Sequence, residues 1–174
     1  MTPSTLFLYE PIYSLNNHLV VGMWNRMVND GDIPSTFHPV MTLPRFLAMI
    51  QPPNGLLYAG SHDGIWFGMW FEPFLAGLSV GAWVRKDYRR TRQGLAAFLE
   101  GYRLLLDQVP CLFGVTMQEK LLPAHIGLGY DVLGRAPALW DGHRDAWLVM
   151  LTRAGHTKAR ERLCRRATVE AVHG

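Results

Sequence analysis

The apolar positions along the chain change their period several times, and each change marks an element. Residues 5–9 read as a short strand, stopped by Pro11, which has no N–H to give to a ladder. Leu15, Leu19, Met23 and Met27 then recur along one face of a helix that Ser14 caps and that runs to about Asn29. Residues 31–41 carry two prolines and read as a loop. Thr42 caps a second helix over 43–50, with Pro44 accommodated in its first turn, and Pro52-Pro53-Asn54-Gly55 ends it.

Two apolar runs, 56–60 and 65–72, flank Ser61-His62-Asp63-Gly64, and Asp-Gly between such runs signals a hairpin. Residues 73–77 turn the chain into a third antiparallel strand over 78–84. Leu95, Leu99, Tyr102 and Leu106 fall at i, i+4, i+7 and i+11, the buried face of a helix that ends before Pro110. Strands over 111–117, 131–140 and 146–152, a short helix over 121–128 and a fraying basic helix over the last fifteen or so residues complete the chain. The expected class is α/β, with about seven strands and four helices.

Composition narrows the class further. At 174 residues, 49% of them hydrophobic, with six Trp and eight Phe, the chain excludes a disordered or fibrous protein and sits within the size of one domain. The longest apolar runs, such as 65–71 and 147–151, fall far short of the roughly 20 residues that cross a bilayer. The start, MTPSTLFLYEP, has neither the basic segment nor the apolar core of a secretory signal, so a cytoplasmic protein is expected. Cys111 and Cys164 lack metal-like spacing, the seven histidines are scattered, and neither a disulfide nor a metal is expected. Ser79 lacks a nucleophile-elbow setting, and no phosphate-loop Gly-Lys-Ser/Thr pattern occurs.

The net charge of +3 is uneven. Residues 153–166 hold six Lys or Arg against one Glu, leaving the remainder at −2 once that +5 is subtracted. A second basic cluster spans 85–92 and leads into the N-terminus of the amphipathic helix. There, unpaired backbone N–H groups and the helix dipole build an anion site of the kind that takes a pyrophosphate. The plain alternative is a solvated surface turn.

This segment, Trp83 to Leu95, resembles the acetyl-CoA signature of the GNAT N-acetyltransferases, in which a strand valine is followed five residues later by Arg or Gln and then by x-x-Gly-x-Gly/Ala. Val84, Arg89 and Gly94 match, while Arg92 stands at the first glycine, where it either obstructs the loop or offers its guanidinium to a phosphate. A later segment resembles the family's Asn-x-x-Ala-x-x-Leu-Tyr-x-x-x-Gly-Phe: Gln118, Leu121, Ala124, His125, Gly129 and Tyr130 take its positions, with Gly129 the one identity. The resemblance implies a GNAT (acyl-CoA N-acyltransferase) fold with a mixed central sheet, over a domain 1–153, followed by a basic helix or tail over 154–174.

It also implies acetyl-CoA as co-substrate, held between the strand ending at Val84 and the strand starting at Cys111. The cofactor-binding residues would be Trp83, Val84, Arg89, Arg90, Thr91, Arg92, Gln93, Gly94, Leu95 and Gln118, with the pyrophosphate on the amides of Arg89 to Leu95. A primary amine, on a small molecule or a protein, would attack the thioester directly. His125 stands where the family often has a tyrosine that protonates the departing thiolate, a task open to an imidazolium, though a plain helix-surface histidine fits the position equally.

Glu72 is the candidate base, because it ends an apolar strand where burial would make it a stronger base; the plain reading is a strand-end carboxylate before Pro73. Trp70, Trp83 and Trp140 are candidates for an acceptor pocket and equally for core. Two rival readings stand beside transfer: a GNAT-like domain without turnover, serving as a structural or binding component such as one of a phage, and a nucleic-acid contact through Arg160, Arg162, Arg165 and Arg166. No membrane partner is expected, the chain acts alone or as a homodimer, and the style of the sequence suggests a bacterial or phage source, whose host cytoplasm would then be its location.

Overall fold

The computed structural model describes residues 5–8, 17–33, 41–137 and 144–173, with side chains to Arg165. Among the described residues it contains seven strands and five α-helices, in two compact units, residues 1–101 and 102–174. The α/β class expected from the pattern is the class found.

In the first unit β1 (Phe7–Leu8), β2 (Gly55–Ser61), β3 (Gly64–Phe74) and β4 (Gly77–Val84) pair antiparallel in chain order. The β2–β3 loop is His62-Asp63, and the glycine of the Asp-Gly signal is already the first residue of β3, at φ +102°, which glycine alone adopts without strain. The β3–β4 turn is shorter than the expected 73–77. It is Leu75-Ala76, and Pro73 stays in the ladder opposite Leu78. β2 reaches only to Phe71, so Pro73 sits where β3 has one neighbour, a position proline tolerates.

Helix α1 (Asn17–Asn29) buries Val20, Met23, Trp24 and Met27. The expected cap Ser14 and the stripe residue Leu15 lie outside the described residues, as do residues 34–40 of the expected loop. Helix α2 (Leu43–Met49) has Thr42 at its N-cap in an extended conformation, but its side chain makes no capping hydrogen bond; the Thr42 carbonyl instead accepts from Phe46 N at 2.8 Å. Both helices cover the sheet face that carries Leu56, Tyr58, Trp70 and Trp83, where Phe46 meets the Trp70 ring edge-on at 5.8 Å. Each large side chain buried here stabilises the unit by about 1.5–3 kcal/mol.

Helix α3 (Arg92–Leu106) lies on the opposite face of the first unit's strands, with Phe98 edge-on to Phe67 at 5.2 Å. Its most buried positions there are Gly94, Ala97 and Gly101, and the expected Leu95 and Leu99 are half-buried. Tyr102 and Leu106, the later half of the expected stripe, are buried as expected, while nearer the N-terminus small residues take the buried face and let the backbone approach: a Cβ at Gly101 would stand 3.0 Å from Met69.

In the second unit β7 (Ala146–Thr152) lies between β5 (Cys111–Thr116) and β6 (Asp131–Ala136), antiparallel to both. A short turn at Glu119–Leu121 precedes α4 (Leu122–Gly127), and α5 (Arg153–His173) follows β7 without a linker. The part of the expected strand beyond Ala136, with Trp140, lies outside the described residues after Pro137. Two arginines of α5 hold helix ends: Arg153 donates to Leu106 O at 2.5 Å and Arg162 to the carbonyls of Ile126 and Gly127, placing cations where helix dipoles favour them. No described helix is long and apolar enough to cross a membrane.

Candidate cofactor loop and late motif

The loop begins where β4 ends. Arg85 is 9% exposed and grips Asp87 through Nε and NH2, both at 2.7 Å, while its guanidinium lies 4.9 Å from the centre of the Tyr88 ring. Tyr88 stacks in turn on Trp66, with centroids 4.5 Å apart and planes 14° from parallel. The hydrogen bonds from Arg85 hold the Asp87 carboxyl below its ordinary range and raise Arg85 further. A single turn, Lys86–Tyr88, carries the chain across.

Tyr88-Arg89-Arg90-Thr91 follows the type II pattern: Arg89 at φ −66°, ψ 141°, then Arg90 at φ +60°, closed by Thr91 N to Tyr88 O at 3.4 Å. Glycine is the usual residue at the place of Arg90, so the left-handed backbone there is strained. Thr91 caps α3. Its Oγ1 donates to Tyr88 O at 2.8 Å and accepts from Gly94 N at 3.0 Å.

Gly94 is fixed by sterics, since a Cβ there would lie 2.4 Å from Tyr88 O. Arg92 needs no such freedom. It is the first residue of α3, exposed and outside the positive-φ region, so the backbone accepts an arginine where the resembled signature has glycine.

The expectation that all amides from Arg89 to Leu95 cradle a phosphate requires correction. Arg89 N is bonded to Lys86 O at 3.2 Å and Leu95 N to Thr91 O at 3.1 Å, and those of Thr91 and Gly94 are held as above. Those of Arg90 and Gln93 are without a hydrogen bond among the described residues, leaving them available at the helix N-terminus. The charge is also less concentrated than the sequence suggests. Lys86 reaches Asp30, with 3.6 Å to its carboxylate and 3.2 Å to its carbonyl; Arg89 pairs with Asp32. With Asp87, Asp30 and Asp32 set against five cations, the cluster carries a formal +2.

Asp32 also accepts from Trp83 Nε1 at 2.8 Å, so Trp83 is a core residue tied to the loop. Trp70 is likewise core. Sequence reading missed Asp30 and Asp32, whose partners lie more than 50 positions away; their only local mark is the polar run Asn29-Asp30-Gly31-Asp32. Sequence reading passed over the Thr91 cap as well, whose local signal is a threonine just ahead of the amphipathic stripe.

Glu72 is not buried. It lies inside β3 opposite Ser79 with its side chain exposed, and Phe67 opposite Val84 puts it five residues, about 16 Å, along the strand from the loop. The burial expected to strengthen it as a base is absent because β3 continues beyond β2 there.

Gln118 and His125 belong to the second unit. Gln118 is half-buried, its amide bonded to Thr116 Oγ1 at 3.2 Å. His125 Nδ1 lies 2.9 Å from Leu121 O. A carbonyl can only accept, so Nδ1 carries the proton, and only the imidazolium has a second proton to give, at Nε2. The His125 ring meets Tyr130 edge-on at 5.5 Å, and Tyr130 meets Tyr102 the same way at 5.5 Å. The two buried phenols share a hydrogen bond; burial pushes Tyr102 up to about 12 and Tyr130 well above its ordinary value. Gly129, at φ +94°, has its Cα against the Gly155 carbonyl, where a Cβ would stand 2.4 Å away, and Gly155 faces the Gly129 carbonyl at the same distance. Among the described residues, no group of three or more His, Cys, Asp and Glu could hold a metal.

No family model and no curated protein matches the chain in sequence. Solved structures do. An aminoglycoside 6′-N-acetyltransferase complexed with coenzyme A is similar at a TM-score of 0.64 and 11% identity, covering 85% of this chain and 96% of its own. The ribosomal-protein-S18-alanine N-acetyltransferase from Escherichia coli gives 0.62 and 16%, covering 85% and 92%. The ribosomal-protein-alanine N-acetyltransferase from Brucella melitensis gives 0.60 and 13%, covering 85% and 99%. Identities this low speak for architecture alone, and at that level the chain has the α/β fold of the GNAT N-acetyltransferases.

Proposed function

We propose that the protein is an acyl-CoA-dependent N-acetyltransferase that moves an acetyl group from acetyl-CoA to a primary amine. The observation that carries this reading is Gly94: the signature glycine retained here is the one pressed against a backbone carbonyl, so the turn into α3 has the close-packed form that phosphate binding needs. The pyrophosphate rests on the amides of Arg90 and Gln93, beside the α3 dipole and the exposed side chains of Arg90 and Arg92.

The amine nitrogen attacks the thioester carbonyl, the C–S bond breaks, and protonated His125 delivers its Nε2 proton to the departing thiolate. The nitrogen loses its proton to water or to Glu72, whose exposure favours water. Holding both reactants in one orientation supplies much of the rate. A second reading, CoA binding without turnover, draws support from that exposed Glu72.

Calorimetry with acetyl-CoA tests the binding: at a hundredfold excess over Kd the ligand stabilises the fold by about 2.7 kcal/mol. Absence of both heat and a thermal shift overturns the proposal. Thiol release across a panel of amines then separates turnover from binding, and release unaffected by His125→Ala removes the role given to that residue.

A further inference from the structure

Resting on that reading, we propose that Asp32 is a positioning residue that sets the cofactor loop for phosphate. Asp32 follows α1 in the chain, with its side chain 14% exposed. Its Oδ2 accepts from Nε1 of Trp83, next to last in β4, at 2.8 Å, and from Arg89 Nη2 in the loop. Arg89 Nε meanwhile donates to Val84 O at 2.8 Å. One carboxylate oxygen therefore ties the rigid end of the strand to the middle of the loop, and the guanidinium closes the ring back onto the strand.

Two consequences follow from the geometry. Arg89 is turned back on its own strand, so this signature arginine acts by shaping the loop, while the phosphate is left to Arg90 and to the open amides. The Arg89 carbonyl and Cα are held one residue before the strained left-handed Arg90, and that strain persists only where neighbouring contacts over-determine it. Without Asp32 the Arg89 side chain swings free and the turn relaxes, which moves the Arg90 and Gln93 amides out of register with an incoming pyrophosphate. Asp30, which holds Lys86 at 3.6 Å, acts on the preceding turn and reinforces the same arrangement.

The test is a double-mutant cycle on CoA affinity by calorimetry, using the full chain as wild type, Asp32→Asn, Arg89→Gln and the double variant, each with its melting temperature in the absence of CoA. Each single change is expected to weaken CoA about tenfold, with the double no weaker than either, because both cut one link. Asp32→Glu is expected to recover part of the loss. Positioning requires that the melting temperature without ligand change little while affinity falls. Losses that add, or a fall in affinity matched by an equal loss of stability, overturn the proposal. Arg89 is exposed, so Arg89→Gln keeps the test open where Asp32→Asn fails to fold. Wild-type protein that binds no CoA would overturn the underlying function instead, whereas wild-type binding with unchanged variants overturns the role of Asp32 alone.

Discussion

The loop at 84–95 and the late segment at 118–130 keep their signatures differently, and the difference separates two kinds of constraint. Each retains the glycine whose Cα meets a backbone carbonyl: Gly94 against Tyr88 and Gly129 against Gly155. Each departs from the pattern it resembles where side chains have room: Arg92 is an exposed first helical residue, and His125 is a half-buried ring edge-on to Tyr130. Backbone crowding cannot be relieved by a rotamer change, whereas a side chain at a helix surface can be exchanged for another that points the same way. The two segments also differ in what holds them: the Arg85–Asp87 pair in the loop is loosened by acid, and the buried phenols at the late segment by alkali.

The largest effect is expected from Gly129→Ala, which meets both a positive φ and the Gly155 carbonyl; about 3–4 kcal/mol of stability is lost, read by denaturant unfolding. An unchanged midpoint would break the comparison at its strongest point. Gly94→Ala has the clash without the strained φ, and about 2–3 kcal/mol is expected, together with weaker CoA binding.

The buried phenols give a comparable loss in alkali. Tyr102 is raised to about 12, so its contribution is present below pH 10 and is lost as pH climbs through the folded value. Some 2–3 kcal/mol should disappear between about pH 10 and 12, measured by melting temperature against pH, and Tyr102→Phe should flatten that limb.

Arg90→Gly releases the left-handed strain, and the melting temperature should rise with a gain of about 1 kcal/mol. A fall would mean that the arginine side chain itself holds the turn. The smallest effect belongs to Asp87, exposed and lowered by Arg85: the pair contributes above the ordinary carboxylate value and is lost as pH falls through the depressed one. Asp87→Asn should remove that small share of the acid dependence, and an unchanged acid limb would show the pair to be energetically silent.

Much of this molecule was legible in its sequence. The apolar periods located the strands and helices to within a few residues, because periods of 2 and 3.6 report which face is buried wherever the chain folds. The spacing of Val84, Arg89 and Gly94 located the loop, since close backbone contacts tie glycine to position. Tertiary structure alone decided the rest. That Gly94, Ala97 and Gly101, and not Leu95 and Leu99, are buried in the first half of α3 depended on neighbours such as Met69, which leaves no room at Gly101 for a larger side chain. Whether Glu72 is buried depended on where β2 stops, and that is set by pairing. Whether five cations in the loop await an anion depended on Asp30 and Asp32, more than 50 residues distant from their partners. Local pattern records the environment of a residue's own element, whereas a charge is neutralised by whatever the fold brings beside it.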